Sequence, residues 1–205
     1  FNYADVGQVT LHARKTAGGS LLKTLTGSTN AFVVKPHHFV LSNIVCGDGT
    51  ANPAAANASG AKFCKAGGNF SAKVEVVALG GAPTPSYGRE ATPEGVLLTP
   101  SLVPGLGLTN TPDLSNKVIP GSAFTNGGVT VSNLAWPEVG IITIEPSVAD
   151  GNYLGAGNVT GATTGNVGRF YPAYFQVDHT PAAACGGAFT YAGLSSGKTG
   201  QPFTV

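Results

Sequence analysis

Apolar and polar residues alternate along this chain in short runs, and the period is two. Gly7-Gln8-Val9-Thr10-Leu11-His12-Ala13 changes character at nearly every step. In Phe70-Ser71-Ala72-Lys73-Val74-Glu75-Val76 the residues Phe70, Ala72, Val74 and Val76 fall on one face, and Ser71, Lys73 and Glu75 on the other. Successive strand residues point to opposite sides of a sheet, so this pattern predicts half-buried strands. Val129-Thr130-Val131-Ser132-Asn133-Leu134 and Gly140-Ile141-Ile142-Thr143-Ile144 repeat it. Gly80-Gly81, Asn126-Gly127-Gly128 and Asp150-Gly151-Asn152 separate the runs as turns. Asn126-Gly127 is a hairpin signal, because both residues accept the positive φ of a tight turn. Helix signals are weak: Ala54 to Ala58 and Ala182 to Ala184 are short and flanked by Pro, Asn or Gly. The pattern predicts an all-β chain with little or no helix, built as tandem Ig-like β-sandwich modules of Greek-key type.

A repeat organises these elements. Phe1-Asn2-Tyr3-Ala4-Asp5-Val6-Gly7-Gln8-Val9-Thr10-Leu11 is followed by Thr29-Asn30-Ala31-Phe32-Val33-Val34-Lys35-Pro36-His37-His38-Phe39. The same order returns in Leu134-Ala135-Trp136-Pro137-Glu138-Val139-Gly140-Ile141-Ile142-Thr143-Ile144, followed by Gly165-Asn166-Val167-Gly168-Arg169-Phe170-Tyr171-Pro172-Ala173-Tyr174-Phe175. The repeated positions are Tyr3, Val6, Gly7, Pro36 and Phe39, and then Trp136, Val139, Gly140, Pro172 and Phe175. Tyr3 and Trp136 are expected to plug sandwich cores, and the glycine after Val to admit a tight entry into the next strand. Pro36 and Pro172 lack an amide donor and belong on an edge or a bulge. A weaker third copy begins near the C-terminus, where Phe189 and Phe203 repeat Phe63 and Phe70. The expected division is residues 1–43 as the last strands of one module, 44–178 as a complete module, and 179–205 as the opening of a third.

Composition narrows the function. Of 205 residues only 10% are charged, and 11 Lys plus Arg against 10 Asp plus Glu leave a net charge of +1. A nucleic-acid partner needs a basic face, and no cluster exceeds Arg14-Lys15. The apolar share is 42%, with Thr, Ser, Asn and Gly as the polar remainder, which fits a folded chain rather than a disordered one. No run approaches the ~20 apolar residues of a membrane-spanning helix. Without any Met, the chain is expected to be a piece of a longer protein. Cys46 and Cys64 bracket a Gly/Ala/Asn loop without a metal-binding knuckle, which predicts a local disulfide. Cys185 has no obvious partner.

Catalytic and metal-binding chemistry finds little support. His37-His38 is a lone pair, and adjacent strand residues point to opposite faces. Glu90 and Glu94 are the nearest approach to paired carboxylates, in a Gly/Pro-flanked loop expected to be solvated or paired with Arg89. Asp5 and Glu138 share a repeat position and are expected to accept backbone N–H groups in a repeated turn. Asp48, Asp150 and Asn152 lie in Gly-rich loops where calcium could sit, yet no recognised ligand spacing supports it. No cofactor is expected. Asn57, Asn69 and Asn158 open glycosylation sequons that matter only in a glycosylating host.

Several blocks carry a family likeness. They are Trp136-Pro137-Glu138-Val139-Gly140-Ile141-Ile142-Thr143-Ile144, Asp150-Gly151-Asn152-Tyr153-Leu154-Gly155-Ala156-Gly157, and Gly165-Asn166-Val167-Gly168-Arg169-Phe170-Tyr171-Pro172. With Thr84-Pro85-Ser86-Tyr87-Gly88 and Thr92-Pro93-Glu94-Gly95-Val96, the chain resembles the MshQ-like, MSHA-type (mannose-sensitive haemagglutinin) pilus biogenesis proteins of bacterial surfaces. The resemblance covers nearly the whole chain and implies an extracellular, multi-module protein tied to type IV pili or adhesion. The Cys46–Cys64 loop and the segment 98–121 depart from it and are expected to be local decoration. The reading is a non-catalytic structural or adhesive segment at the bacterial cell surface. Its expected partners are other modules of the chain, and pilus subunits or neighbouring copies joined by strand pairing. The alternative is a carbohydrate-binding module that stacks sugars, as a surface glycan partner, on Trp136, Tyr153, Tyr171 and Tyr174.

Overall fold

The computed structural model describes residues 3–16, 24–104 and 112–176. The chain divides into two compact units, Phe1–Ala173 and Tyr174–Val205, and the strands of the described residues all lie in the first. In chain order they are β1 (Gly7–Val9), β2 (His12–Thr16), β3 (Thr24–Ser28), β4 (Phe32–Val34), β5 (His38–Cys46), β6 (Asn69–Val77), β7 (Val96–Leu102), β8 (Val118–Ile119), β9 (Gly128–Ala135), β10 (Gly140–Val148) and β11 (Val167–Phe170). Helical structure among the described residues is two short 3-10 turns, Gly121–Ala123 and Tyr153–Gly155. Ala54 to Ala58, where the helix signal is weak, is not helical.

β5 to β11 form a β-sandwich. One sheet has the order β5-β6-β9 and the other β11-β10-β7-β8, with every ladder between strands antiparallel. Counting the seven strands in order, the first, second and fifth face the fourth, third, sixth and seventh. The chain crosses between sheets three times, which is Greek-key connectivity of the Ig-like kind. The period-two pattern explains the core directly. Phe70, Ala72, Val74 and Val76 of β6 are all fully buried, while Ser71, Lys73 and Glu75 are partly exposed on the opposite face. Ile142, Ile144 and Val148 of β10 and Val96 and Leu98 of β7 meet them in a single apolar cluster. Phe63 packs edge to face on Phe70 and Phe170, an arrangement that aromatic quadrupoles favour, and Phe70 and Phe170 meet at a tilt, with all ring centroids 5.4–5.9 Å apart.

Turn chemistry follows the residues. Asn126 (φ 52°) and Gly127 (φ 76°) both have positive φ, and Thr125 and Gly128 exchange backbone hydrogen bonds of 2.9 and 3.1 Å around them. A side chain on Gly127 would also strike the backbone of Thr84. Thr84 itself is fully buried, its hydroxyl donating to the Val76 carbonyl at 3.0 Å.

Two expectations change. The boundary at 43/44 falls inside β5, which runs unbroken from His38 to Cys46 and supplies fully buried Phe39 near its start. Pairing with β6 decides where that strand begins, and the repeat alignment carries no information about it. Segment 98–121 is no decoration: it holds most of β7 and all of β8, and Leu98, Leu114 and Ile119 are core residues. Its Pro and Gly content hides two strands that tertiary pairing enforces. The third module, 179–205, with Cys185, lies outside the described residues.

Candidate functional site

The repeated strand opening is the feature with the most defined geometry. Asp5 Oδ1 accepts the N–H of Val6 at 2.9 Å, and Glu138 Oε1 accepts that of Val139 at 2.8 Å. Gly7 and Gly140 then open β1 and β10 with φ of 118° and 119°, a region that side chains rarely enter. Each glycine pairs with the corresponding residue of the returning strand, Gly7 with Val34 and Gly140 with Phe170. Further along, Leu11 donates its N–H to Thr29 Oγ1 at 3.0 Å and accepts from the Thr29 N–H at 2.9 Å. Ile144 does the same with Thr164, at 2.9 Å in both directions. The two stretches are one hairpin built twice, with an irregularity added between Gly140 and Ile141 in the second.

What surrounds the two copies differs. Trp136 is fully buried, whereas Tyr3 is 50% exposed. The order reverses at the other end, where Pro36 and Phe39 are buried, and Pro172 and Phe175 are exposed. The expectation that Tyr3 and Trp136 both plug cores is therefore corrected. Trp136 enters the sandwich that its own hairpin closes, while Phe39 enters the sandwich that follows its hairpin. Val6 is buried and Val139 half-buried for a related reason: Asp5 also accepts the Ser86 N–H at 3.0 Å, tying the first hairpin to the following sandwich. Lys35 adds hydrogen bonds to the carbonyls of Ala156 and Asn158, at 3.3 and 3.2 Å.

Cys46 and Cys64 form a disulfide with Cα atoms 5.5 Å apart. The loop it closes covers the outer edge of β11. Phe63 N–H donates to the Arg169 carbonyl, Tyr171 N–H to that of Cys64, and Gly168 N–H to Asn52 Oδ1, at 2.9–3.1 Å. Asn166 Nδ2 donates to the Ala55 carbonyl and Arg169 Nε to that of Gly60. An open sheet edge invites foreign strands, and this loop occupies it.

The carboxylates serve the fold. Glu90 Oε1 accepts the Tyr153 hydroxyl at 2.6 Å and Glu94 Oε1 accepts the Leu154 N–H at 3.1 Å, so both hold the Tyr153–Gly155 turn rather than Arg89 or solvent. Tyr153 stacks on Tyr87 at 5.9 Å, and both rings are fully buried. Burial raises both phenol pKa values well above the ordinary tyrosine range, helped at Tyr153 by the hydrogen bond to Glu90 and at Tyr87 by the nearby Glu90 and Glu94 charges. A phenol whose pKa is higher folded than unfolded holds its proton better in the fold. Its stabilising contribution is complete below the unfolded pKa of about 10 and is lost as pH climbs above it. Each tyrosine should thus lower stability by about 1.4 kcal/mol per pH unit above pH ~10. Thermal melts from pH 9 to 12 on wild type and Tyr153→Phe measure it; equal slopes in both would refute the assignment.

The remaining candidates stay local. His37 precedes β5 and His38 opens it, so their rings meet instead of diverging, with Nδ1 atoms 2.8 Å apart. Asp48 Oδ1 accepts the Thr50 N–H, and these bonds hold its carboxyl below the usual range. Asp150 Oδ1 accepts the Asn152 N–H, while Asn152 Oδ1 accepts that of Gly157. Among the described residues no three His, Cys, Asp or Glu side chains converge as metal ligands would. Of the four proposed sugar platforms, Trp136 and Tyr153 are fully buried and cannot stack on a ligand. Tyr171 has Lys62 over its ring at 5.2 Å, and Tyr174 is exposed. Sequence reading missed the matched Thr29 and Thr164, whose signal is a Thr near the start of each returning segment.

Comparison with known families matches residues 35–140 to the second domain of DUF6701 and residues 138–204 to its third domain. The chain belongs to the DUF6701 family. No curated protein and no solved structure matches it. The junction of the two DUF6701 matches falls at the Glu138–Gly140 strand opening. The fold ignores that junction: β10 and β11, from the third-domain match, close the sandwich begun by the second-domain match.

Proposed function

We propose that this DUF6701 chain is a non-catalytic structural and adhesive segment of a bacterial extracellular surface or pilus-associated protein. The observation that carries the reading is the hairpin built twice, the first copy tied to the front of the described sandwich and the second closing it. Modules tied together across their sequence junctions, as Asp5 and Lys35 tie the first hairpin to the sandwich, are suited to spanning distance and bearing tension. The Cys46–Cys64 disulfide supports an oxidising compartment, since such bonds persist outside the cytosol. The resemblance to MshQ-like proteins supports a link to type IV pili. The acids best placed for catalysis are engaged with Tyr153 and Leu154, which supports a scaffold over an enzyme.

Antibodies raised against this chain test the location. They should label intact cells of the producing bacterium, and brief external protease should remove the label. Labelling confined to permeabilised cells would defeat the proposal.

A further inference from the structure

The first hairpin has the backbone of the second without its neighbours. β10 is hydrogen-bonded on both edges, to β11 on one side and along Ile142–Val148 to β7 on the other. The register runs from Ile142 opposite Leu102 to Val148 opposite Val96. β1 and β2, which correspond to β10 through the shared glycine and Thr pairs, are bonded only to β4 and β3. Their second edge has no strand partner among the described residues. The side chains agree. Ile144 is fully buried, while its counterpart Leu11 is 46% exposed; Val159, which stands opposite Val148 as Leu25 stands opposite Lys15, is buried, while Leu25 is 61% exposed. Trp136 and Tyr3 differ in the same sense. Leu11, Ala13 and Thr29 line an apolar concavity on this hairpin.

We propose that the β1–β4 hairpin is a docking element that closes another DUF6701 sandwich, adding the free edge of β1 and β2 to a strand of β7 type in that module. The β7 contact within this chain identifies the occupant, because it shows what the same hairpin binds when its edge is filled. Backbone ladders supply affinity in such strand addition, and alternate side chains supply selectivity. Tyr3, Val9 and Leu11 would then take the buried positions of Trp136, Ile142 and Ile144. An open strand edge beside the exposed Leu11 invites pairing with another strand, which gives a physical reason for it to be covered. The inference rests on the scaffold reading only for the partner's identity; the edge itself is testable alone.

The probe is a fluorescein-labelled synthetic peptide with the sequence of residues 94–103, titrated to millimolar concentration into the full chain. Saturable one-to-one binding is expected, with amide exchange slowed in residues 8–16. Leu11→Lys should weaken binding at least tenfold while leaving the melting temperature unchanged, since Leu11 is already exposed. Absence of saturable binding, equal binding by the Leu11→Lys variant, or protection appearing in β8 and β10 instead would each overturn the proposal. Failure of surface labelling, with peptide binding intact, would remove the cell-surface reading and leave the docking edge standing.

Discussion

Trp136→Ala should destabilise the sandwich by about 3–5 kcal/mol, whereas Tyr3→Ala should change stability by no more than about 0.5 kcal/mol. The two residues hold the same place in the repeat, so sequence alone would assign them equal weight. Trp136 is fully buried and belongs to the same cluster as Leu134 and Phe170. Its removal takes away a large transfer free energy and leaves a cavity that a two-sheet core collapses onto only partly. Tyr3, half exposed, already meets water and loses little. In a chain of this size the larger loss corresponds to a fall in Tm of roughly 6–20 °C. Chemical denaturation with matched m-values measures both. Comparable losses from the two substitutions would mean that Tyr3 is packed, and the docking hairpin would lose its free face.

Removing the disulfide with Cys46→Ala and Cys64→Ala together should cost about 3 kcal/mol, the loop-closure entropy expected for its sequence separation of 18. The loss should be localised as well as global. The loop holds β11 through the bonds of Phe63, Tyr171 and Asn52, so amides of Gly168 and Tyr171 should exchange faster than those of β6 in the double variant. Guanidinium midpoints with and without reductant give the first quantity, and site-resolved hydrogen exchange the second. An unchanged midpoint under reduction would show that the loop is held by its hydrogen bonds alone. Adding a single peptide strand to the exposed β11 edge in the reduced protein would be the expected secondary consequence.

The Glu90–Tyr153 contact shows how a catalytic guess dissolves into packing. Two acids four residues apart in a loop look like a reactive pair, yet each accepts one hydrogen bond from the Tyr153–Gly155 turn. The arrangement joins residues 63 positions apart, and no local pattern encodes that meeting. The same holds for His37 and His38. A strand rule separates them, but β5 starts at His38, so the rule applies to only one of the pair.

The sequence by itself determined the local terms: alternation in β6, the Asn126-Gly127 turn, the glycine that opens β1 and β10, and the near absence of helix. Each follows from which backbone angles a residue tolerates and which face it presents to water, properties that need only its neighbours in the chain. The tertiary structure alone decided which aromatic residues are core, where β5 begins, that segment 98–121 carries two strands, and that β10 belongs with β7. Those outcomes depend on which distant surfaces meet. Two hairpins of one design therefore differ in burial because the second closes the described sandwich, while the first has no strand on its second edge among the described residues.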